Sequence, residues 1–394
     1  MKSKDLYLAS KPHYAILDGL RGVAALVVVC FHLLEASSVD VMLTRYIGHG
    51  YLAVDFFFLL SGFVISYAYD DRWQDMTTWG FFKRRLVRLH PMIVVAAVLG
   101  VIFFYYGAGP VFPLVSQTSF GPLMLVFLMM LFMVPVPVGM DIKGWQETTP
   151  LNGNAWSLMF EYVANVLYAL LLRRFPVWLL GGSALVCSLF TLDVALDFDL
   201  FGFLSERQAH YTLHGGWSLT VEQVYVGLSR LLYPFVIGLL LSKIVRREAT
   251  STPGRGGFWL TSLLLAAVLF TPSIGVDEPT LPNGFFEAMA VLLIFPFIVW
   301  LASGRGATGR TASICRFLGD ISYPLYLVHQ PIVFTLYGTW RATHLEATPV
   351  QLVVMTVSML LLSLFLSYAI LRLIDLPARQ WLTLKLFRVG SVYS

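Results

Sequence analysis

The chain has 394 residues, 57% of them hydrophobic and 13% charged, with a formal net charge of +4. Soluble domains carry roughly 25% charged residues, and no polar stretch here is long enough to build one. A soluble enzyme, a receptor with a single anchor and a disordered scaffold are thereby excluded, leaving a multi-pass membrane protein. Its apolar runs do not alternate and are about 15–20 residues long, so the expected fold class is all-α, a polytopic helical bundle rather than a β-barrel.

In chain order the apolar segments cover 15–34, 51–69, 92–106, 121–138, 155–172, 177–195, 223–242, 258–271, 285–303, 321–340 and 350–371. The polar start, Met1 to Lys11, has no cleavable signal pattern, and the first run reads as a retained helix. Short loops rich in Lys and Arg face the cytoplasm. Six basic clusters qualify: Lys2/Lys4/Lys11, Lys83/Arg84/Arg85/Arg88, Arg173/Arg174, Lys243/Arg246/Arg247/Arg255, Arg305/Arg310/Arg316 and Arg372/Arg379/Lys385/Arg388. The loops between them are acidic or neutral, as at Asp193/Asp197/Asp199 and Asp277/Glu278. Between Arg88 and Arg173 the chain must cross an even number of times, so one of three candidates does not span. The 121–138 segment ends on Pro135 and Pro137 and reads as re-entrant or interfacial. About ten crossings with both termini cytoplasmic follow, and 35–50, 107–154 and 196–222 fall outside. Cys30, Cys187 and Cys315 are scattered in apolar sequence and read as small core residues; no metal spacing or nucleotide loop is present.

Ionisable side chains inside a bilayer are costly, and each is a candidate for function. Arg21 and His32 are eleven residues apart, which places them on one helix face about 16 Å apart in depth. Alone, Arg21 would read as an interface anchor and His32 as a hydrogen-bonded structural histidine. Asn154, Ser157, Glu161 and Asn165 form one stripe of the segment that opens at Asn152. The amides and the serine could be interhelical glue, but a carboxylate needs a cation or a function. Depth counting puts Glu161 near the level of His32, with Asp55 and Arg230 in the same layer. Asp55 reads equally well as a helix-start charge, and Arg230 as its neutraliser or that of Glu161. On the inner side, Lys83, Arg84, Arg85 and Arg88 suit either anionic lipids or a phosphate group. Ser322, Tyr326 and His329 share a further face.

In this order the residues resemble membrane acyltransferase family 3, bacterial enzymes that O-acylate surface glycans. The resemblance covers nearly the whole chain. It rests on Leu17-Asp-Gly-Leu-Arg21-Gly with His32, on Val54-Asp55-Phe-Phe-Phe with Ser61-Gly62-Phe63, and on Phe82-Lys-Arg-Arg85-Leu-Val-Arg88-Leu. Leu151-Asn152-Gly-Asn154-Ala-Trp156-Ser157-Leu-Met-Phe-Glu161 and Ser322-Tyr-Pro-Leu-Tyr326-Leu-Val-His329-Gln complete it. His90 and Asn154 depart from the commoner residues at their positions. The resemblance implies a single acyltransferase domain over 1–394, without an appended periplasmic domain, in the bacterial inner membrane. It implies acetyl-CoA or another acyl-CoA as donor, with no tightly bound cofactor. The expected partners are membrane lipids and a glycan or lipid-linked saccharide acceptor on the outer face, with no nucleic acid; the oligomeric state, a homodimer included, is left open.

On that reading Lys83, Arg84, Arg85 and Arg88 gather the CoA phosphates with the help of Arg21. His32 is then either the general base or a transient acyl carrier. Glu161 or Glu35 would orient its imidazole, Asp55 belongs to the same acid–base layer, and Arg230 or Asn154 contacts the oxyanion or acceptor. Asn152, Trp156, Ser157, Tyr326 and His329 are the remaining substrate-side candidates. The rival reading is a secondary transporter or flippase for a lipid-linked sugar or small anion, since buried charges also line transport paths.

Overall fold

The computed structural model describes residues 11, 14–37, 48–248, 257–274, 280–303 and 306–387, with side chains placed except at 246–248. Lys2, Lys4, Arg255, Asp277, Glu278, Arg305 and Arg388, and the side chains of Arg246 and Arg247, lie outside this description. Every regular element among the described residues is helical. We number α1 (Ala15–Ser37), α2 (Ala53–Tyr69), α3 (Thr78–Phe103), α4 (Phe120–Leu131), α5 (Trp156–Leu170) and α6 (Val177–Ala195). They are followed by α7 (Val221–Glu248), α8 (Phe258–Leu269), α9 (Leu281–Ala302), α10 (Gly309–Gln330) and α11 (Pro349–Leu386).

Length decides which of these can cross a bilayer unaided. Seven helices are long and apolar enough: α1, α2 with its leading turn, α3, α6, α7, α9 and α11. α4 and α8 have 12 residues each, about 18 Å against a hydrocarbon core of about 30 Å. For α4 this accords with a segment that does not span, and Met133, in the left-handed region at φ 53°, turns the chain straight after it. For α8 it falls short of the crossing expected over 258–271. α5 has only 15 residues, because the polar stretch before it is an extended Asn152 followed by a 3-10 turn, Gly153–Ala155, buried inside the bundle.

Two helix pairs form the frame, α1 along α10 and α2 along α7. Both rest on glycines that let backbones touch. A Cβ on Gly22 would lie 2.5 Å from the Leu318 carbonyl, and one on Gly62 2.1 Å from the Phe235 carbonyl. α9 and α11 are each interrupted by a π-helical turn, Ala290–Ile294 and Leu371–Asp375, and α10 runs on through a π-helical stretch, Pro331–Gly338. Pro331 has no N–H to donate, so the ladder loosens there, directly after His329 and Gln330.

Candidate active site

Arginines from four helices converge on one cavity of about 620 Å³, lined among others by Arg21, Arg85, Arg88, Arg316 and Arg379. Arg21 donates from Nε to Ser322 Oγ at 2.9 Å and from Nη2 to the Gly319 carbonyl at 3.0 Å, so α10 aims it. Arg379 is held by Asp375 at 2.6 Å across the π turn of α11. Arg85 and Glu161 pair at 2.5 Å, and Ser61 Oγ donates to the same carboxylate oxygen at 3.0 Å. Five guanidinium groups line the cavity against the three carboxylates of Asp18, Glu161 and Asp320, an excess of 5 − 3 = 2 positive charges.

Three residues differ from the sequence expectation. Glu161 sits at the cation cluster, not beside His32. Depth counting started α5 at the outer surface, whereas its first turn is itself buried, which sets Glu161 deeper. Lys83 and Arg84 do not line the cavity. At about 100° per residue Lys83 points away from the face of Arg85 and Arg88, whereas Arg84 lies only about 40° from Arg88 and is drawn aside by its own partners, donating to the Gly80 carbonyl and stacking on Phe387.

At its other end the cavity reaches Ser157 and Tyr326, whose hydroxyls meet at 2.8 Å. Ser157 Oγ donates to the Asn154 carbonyl at 3.1 Å, and Asn154 Nδ2 donates to the Tyr326 carbonyl at 2.9 Å. Beyond them lie two imidazoles, His32 Nδ1 and His329 Nε2, 2.9 Å apart. Their partners set the protons. The Leu325 carbonyl can only accept, so His329 Nδ1, at 2.6 Å, carries hydrogen and donates. His329 Nε2 receives Asn154 Nδ2–H at 3.2 Å, which makes it the bare nitrogen of a neutral ring. His32 Nδ1 must therefore donate to it, and the free lone pair of His32 falls on Nε2, which has no partner among the described residues. Asn152 secures the same corner, donating from Nδ2 to the Leu327 carbonyl at 2.7 Å.

Asp55 and Arg230 form a separate, fully buried pair at 2.7 Å. Arg230 also donates to the Gly215 and Tyr51 carbonyls at 2.9 and 2.8 Å and stands over the Trp156 ring. Arg207 joins the same layer through the Thr212 and His214 carbonyls. So does Glu287, which accepts from Tyr51 Oη, Thr212 Oγ1, Asn283 Nδ2 and the Leu213 amide. Sequence reading missed Glu287, Arg207 and His214, and also Arg316 and Arg379, which it counted only as topology signals. The one available hint was Glu287 standing alone in an apolar run. In the 107–154 loop, burial raises the Glu147 carboxyl against the pull of Lys143. Burial, then Arg230 and Arg207, hold the His214 imidazole down at about 3. Among the described residues no group of three His, Cys, Asp or Glu side chains is arranged to hold a metal ion.

A family model described as an acyltransferase domain matches residues 14–371. A protein of the picA locus of Rhizobium radiobacter is 37% identical over 163 residues, 40% of this chain and 81% of that one. The acyltransferase MdmB of Streptomyces mycarofaciens is 26% identical over 80% of this chain and 78% of its own. The peptidoglycan O-acetyltransferase OatA of Listeria monocytogenes is 24% identical over 84% of this chain, which spans 53% of that protein. No solved structure matches the chain.

Proposed function

Because the chain belongs to this acyltransferase family, matched over residues 14–371, we propose that it is a multi-pass membrane O-acyltransferase that moves an acetyl group from acetyl-CoA to a glycan hydroxyl. The OatA relatives support the glycan acceptor and the acetyl group. The cation-rich cavity supports a donor bearing phosphates, since guanidinium forks bind phosphate oxygens bidentately. Its volume of about 620 Å³ falls in the range of small-molecule sites. Arg21, Arg85, Arg88, Arg316 and Arg379 would hold the phosphates, with the acyl arm running past Ser157 and Tyr326 toward His32, about 16 Å from Arg21 along α1. We place about ten crossings in the bacterial inner membrane, with both termini cytoplasmic, so the donor enters from inside and the acceptor meets His32 from outside.

The observation that carries this reading is the bare Nε2 of His32, fixed by His329. As base, Nε2 takes the proton of the acceptor hydroxyl while its oxygen attacks the thioester carbonyl; the C–S bond then breaks and the imidazolium returns the proton to the thiolate. As carrier, Nε2 itself attacks and the C–S bond breaks, giving an acyl-imidazolium and CoA thiolate; the hydroxyl oxygen then displaces the acyl group from Nε2, and the hydroxyl proton ends on the thiolate. A thioester is already activated, so either route needs little beyond this nitrogen and a held donor.

The test is acetyl transfer from labelled acetyl-CoA to glycan by the purified full chain and its His32→Ala variant. The variant should lose transfer by at least about 10²-fold; wild-type rates from it would overturn the reading. A wild type that moves glycan across vesicles but transfers no label would favour a transporter. Label trapped on His32 with donor alone would decide for the carrier route.

A further inference from the structure

On the outer side of His32 runs a strip of half-buried rings that the chemistry above does not use. His32 and Phe31 stand 5.4 Å apart between ring centroids, Phe31 and Tyr51 6.0 Å, Tyr51 and His214 4.8 Å, and His214 and Trp217 4.8 Å. All five are partly exposed. His214 is also near enough to His32 for the two imidazoles to act on each other electrostatically. Neither ring nitrogen of His214, nor the indole N–H of Trp217, has a hydrogen-bond partner among the described residues.

The loop that carries these two rings is held from every side. Arg207 donates to the Thr212 and His214 carbonyls and Arg230 to the Gly215 carbonyl, while Glu287 accepts from the Leu213 amide. The Thr148 amide donates to the Trp217 carbonyl at 2.7 Å, tying in the other outer loop. Gly216 has φ +108°, and a Cβ there would meet Trp156 at 2.8 Å, so Trp156 supports the loop from beneath. Rigid backbone beneath unpartnered ring donors is what a preorganised binding platform requires.

We propose that residues 212–217 form the acceptor platform, with Trp217 and His214 stacking on and hydrogen-bonding a neutral saccharide ring so that one hydroxyl meets His32. The class of ligand follows from the side chains. Flat apolar faces suit the C–H face of a sugar, and an imidazole and an indole N–H suit hydroxyls. Each nearby guanidinium already faces a carboxylate, Arg230 that of Asp55 at 2.7 Å and Arg207 that of Glu222 at 3.9 Å, so their charge is met without a bound anion. The proposal rests on the acyltransferase reading above.

The experiment titrates the full chain in detergent with acetyl-CoA and with the soluble saccharide fraction extracted from membranes of the source cell. His214→Gln and Trp217→Phe should each raise the acceptor KM at least ten-fold, with a far smaller change in kcat and in the acetyl-CoA KM. The acceptor KM should also be indifferent to added salt. Two variants guard against one misfolding, and melting curves identify that case. An unchanged acceptor KM in both folded variants, or a parallel rise in the donor KM, would overturn the platform. A wild type without transfer would instead sink the acyltransferase reading itself.

Discussion

His32 owes its basic nitrogen to a chain of single-purpose partners: a carbonyl that only accepts, a second imidazole, and an amide that donates to it. His329 is on this view a positioning residue. His329→Ala should lower kcat by about 10²-fold, the lower end of what a placed base contributes, while leaving the acetyl-CoA KM nearly unchanged. His329→Gln, which can still accept a hydrogen bond, should recover part of that loss; equal losses in both would argue for a different role. At Arg85, removing the counter-charge is the informative change. Glu161→Gln leaves a buried guanidinium uncompensated, which costs about 3–5 kcal/mol when the pair is well desolvated. Glu161 keeps 18% of its side chain exposed, so the lower end is expected, read from the melting temperature. His214 brings a pH dependence with a definite sign. Its imidazole titrates near 3 in the fold against about 6.5 in an unfolded chain. The unfolded state therefore binds the proton first, and the stability this group contributes is present above about 6.5 and lost as pH falls toward 3. Arg230 and Arg207 face it from α7 and the 196–222 loop, with Tyr51, Trp217 and His32 as its other neighbours. Melting curves should show a shallower acid limb for His214→Gln.

Among the elements, α1 and α10 carry the site between them, since Arg21 meets Ser322 and His32 meets His329 across one helix contact. That contact is possible because Gly22 has no Cβ. Gly22→Ala would press a methyl against the Leu318 backbone, and overpacking of this kind costs about 1–3 kcal/mol. It should lower acetyl transfer as well as the melting temperature, because parting the helices separates both pairs at once. Loss of stability with full activity would show that the two pairs do not depend on this spacing. Apolar runs in the sequence located α1, α2, α6 and α7 closely, but not the start of α3. That helix begins at Thr78 rather than 92 and takes in Lys83 to Arg88, a stretch expected as a loop; charged residues inside a helix hide it from a hydropathy pattern. The runs over-extended α8 and could not show that α5 begins inside the protein, because burial against other helices leaves no mark on such a pattern.

Over the whole molecule, charge divides the two proposed ligands. The donor cavity holds net positive charge and should bind acetyl-CoA more weakly as salt rises from 0.1 M to 1 M, over which the screening length falls from about 10 Å to about 3 Å. A donor KM that ignores salt would count against phosphate binding there. The proposed orientation is tested separately. A cysteine placed at Ser205 should react with an impermeant reagent in intact cells, and one at Arg310 only after permeabilisation; the reverse pattern would invert the topology. By itself the sequence determined the membrane class, the helical class and the residues that do not belong in lipid, because a scarce charge in an apolar chain is visible without a structure. It could not determine who pairs with whom. Asp55 with Arg230, Glu161 with Arg85, and His32 with His329 are contacts across 175, 76 and 297 residues of chain. Only the packing of helices brings such partners together. The proton that settles on one nitrogen of His32 is decided there, by a carbonyl and an imidazole on a helix that the spacing from Arg21 to His32 does not reveal.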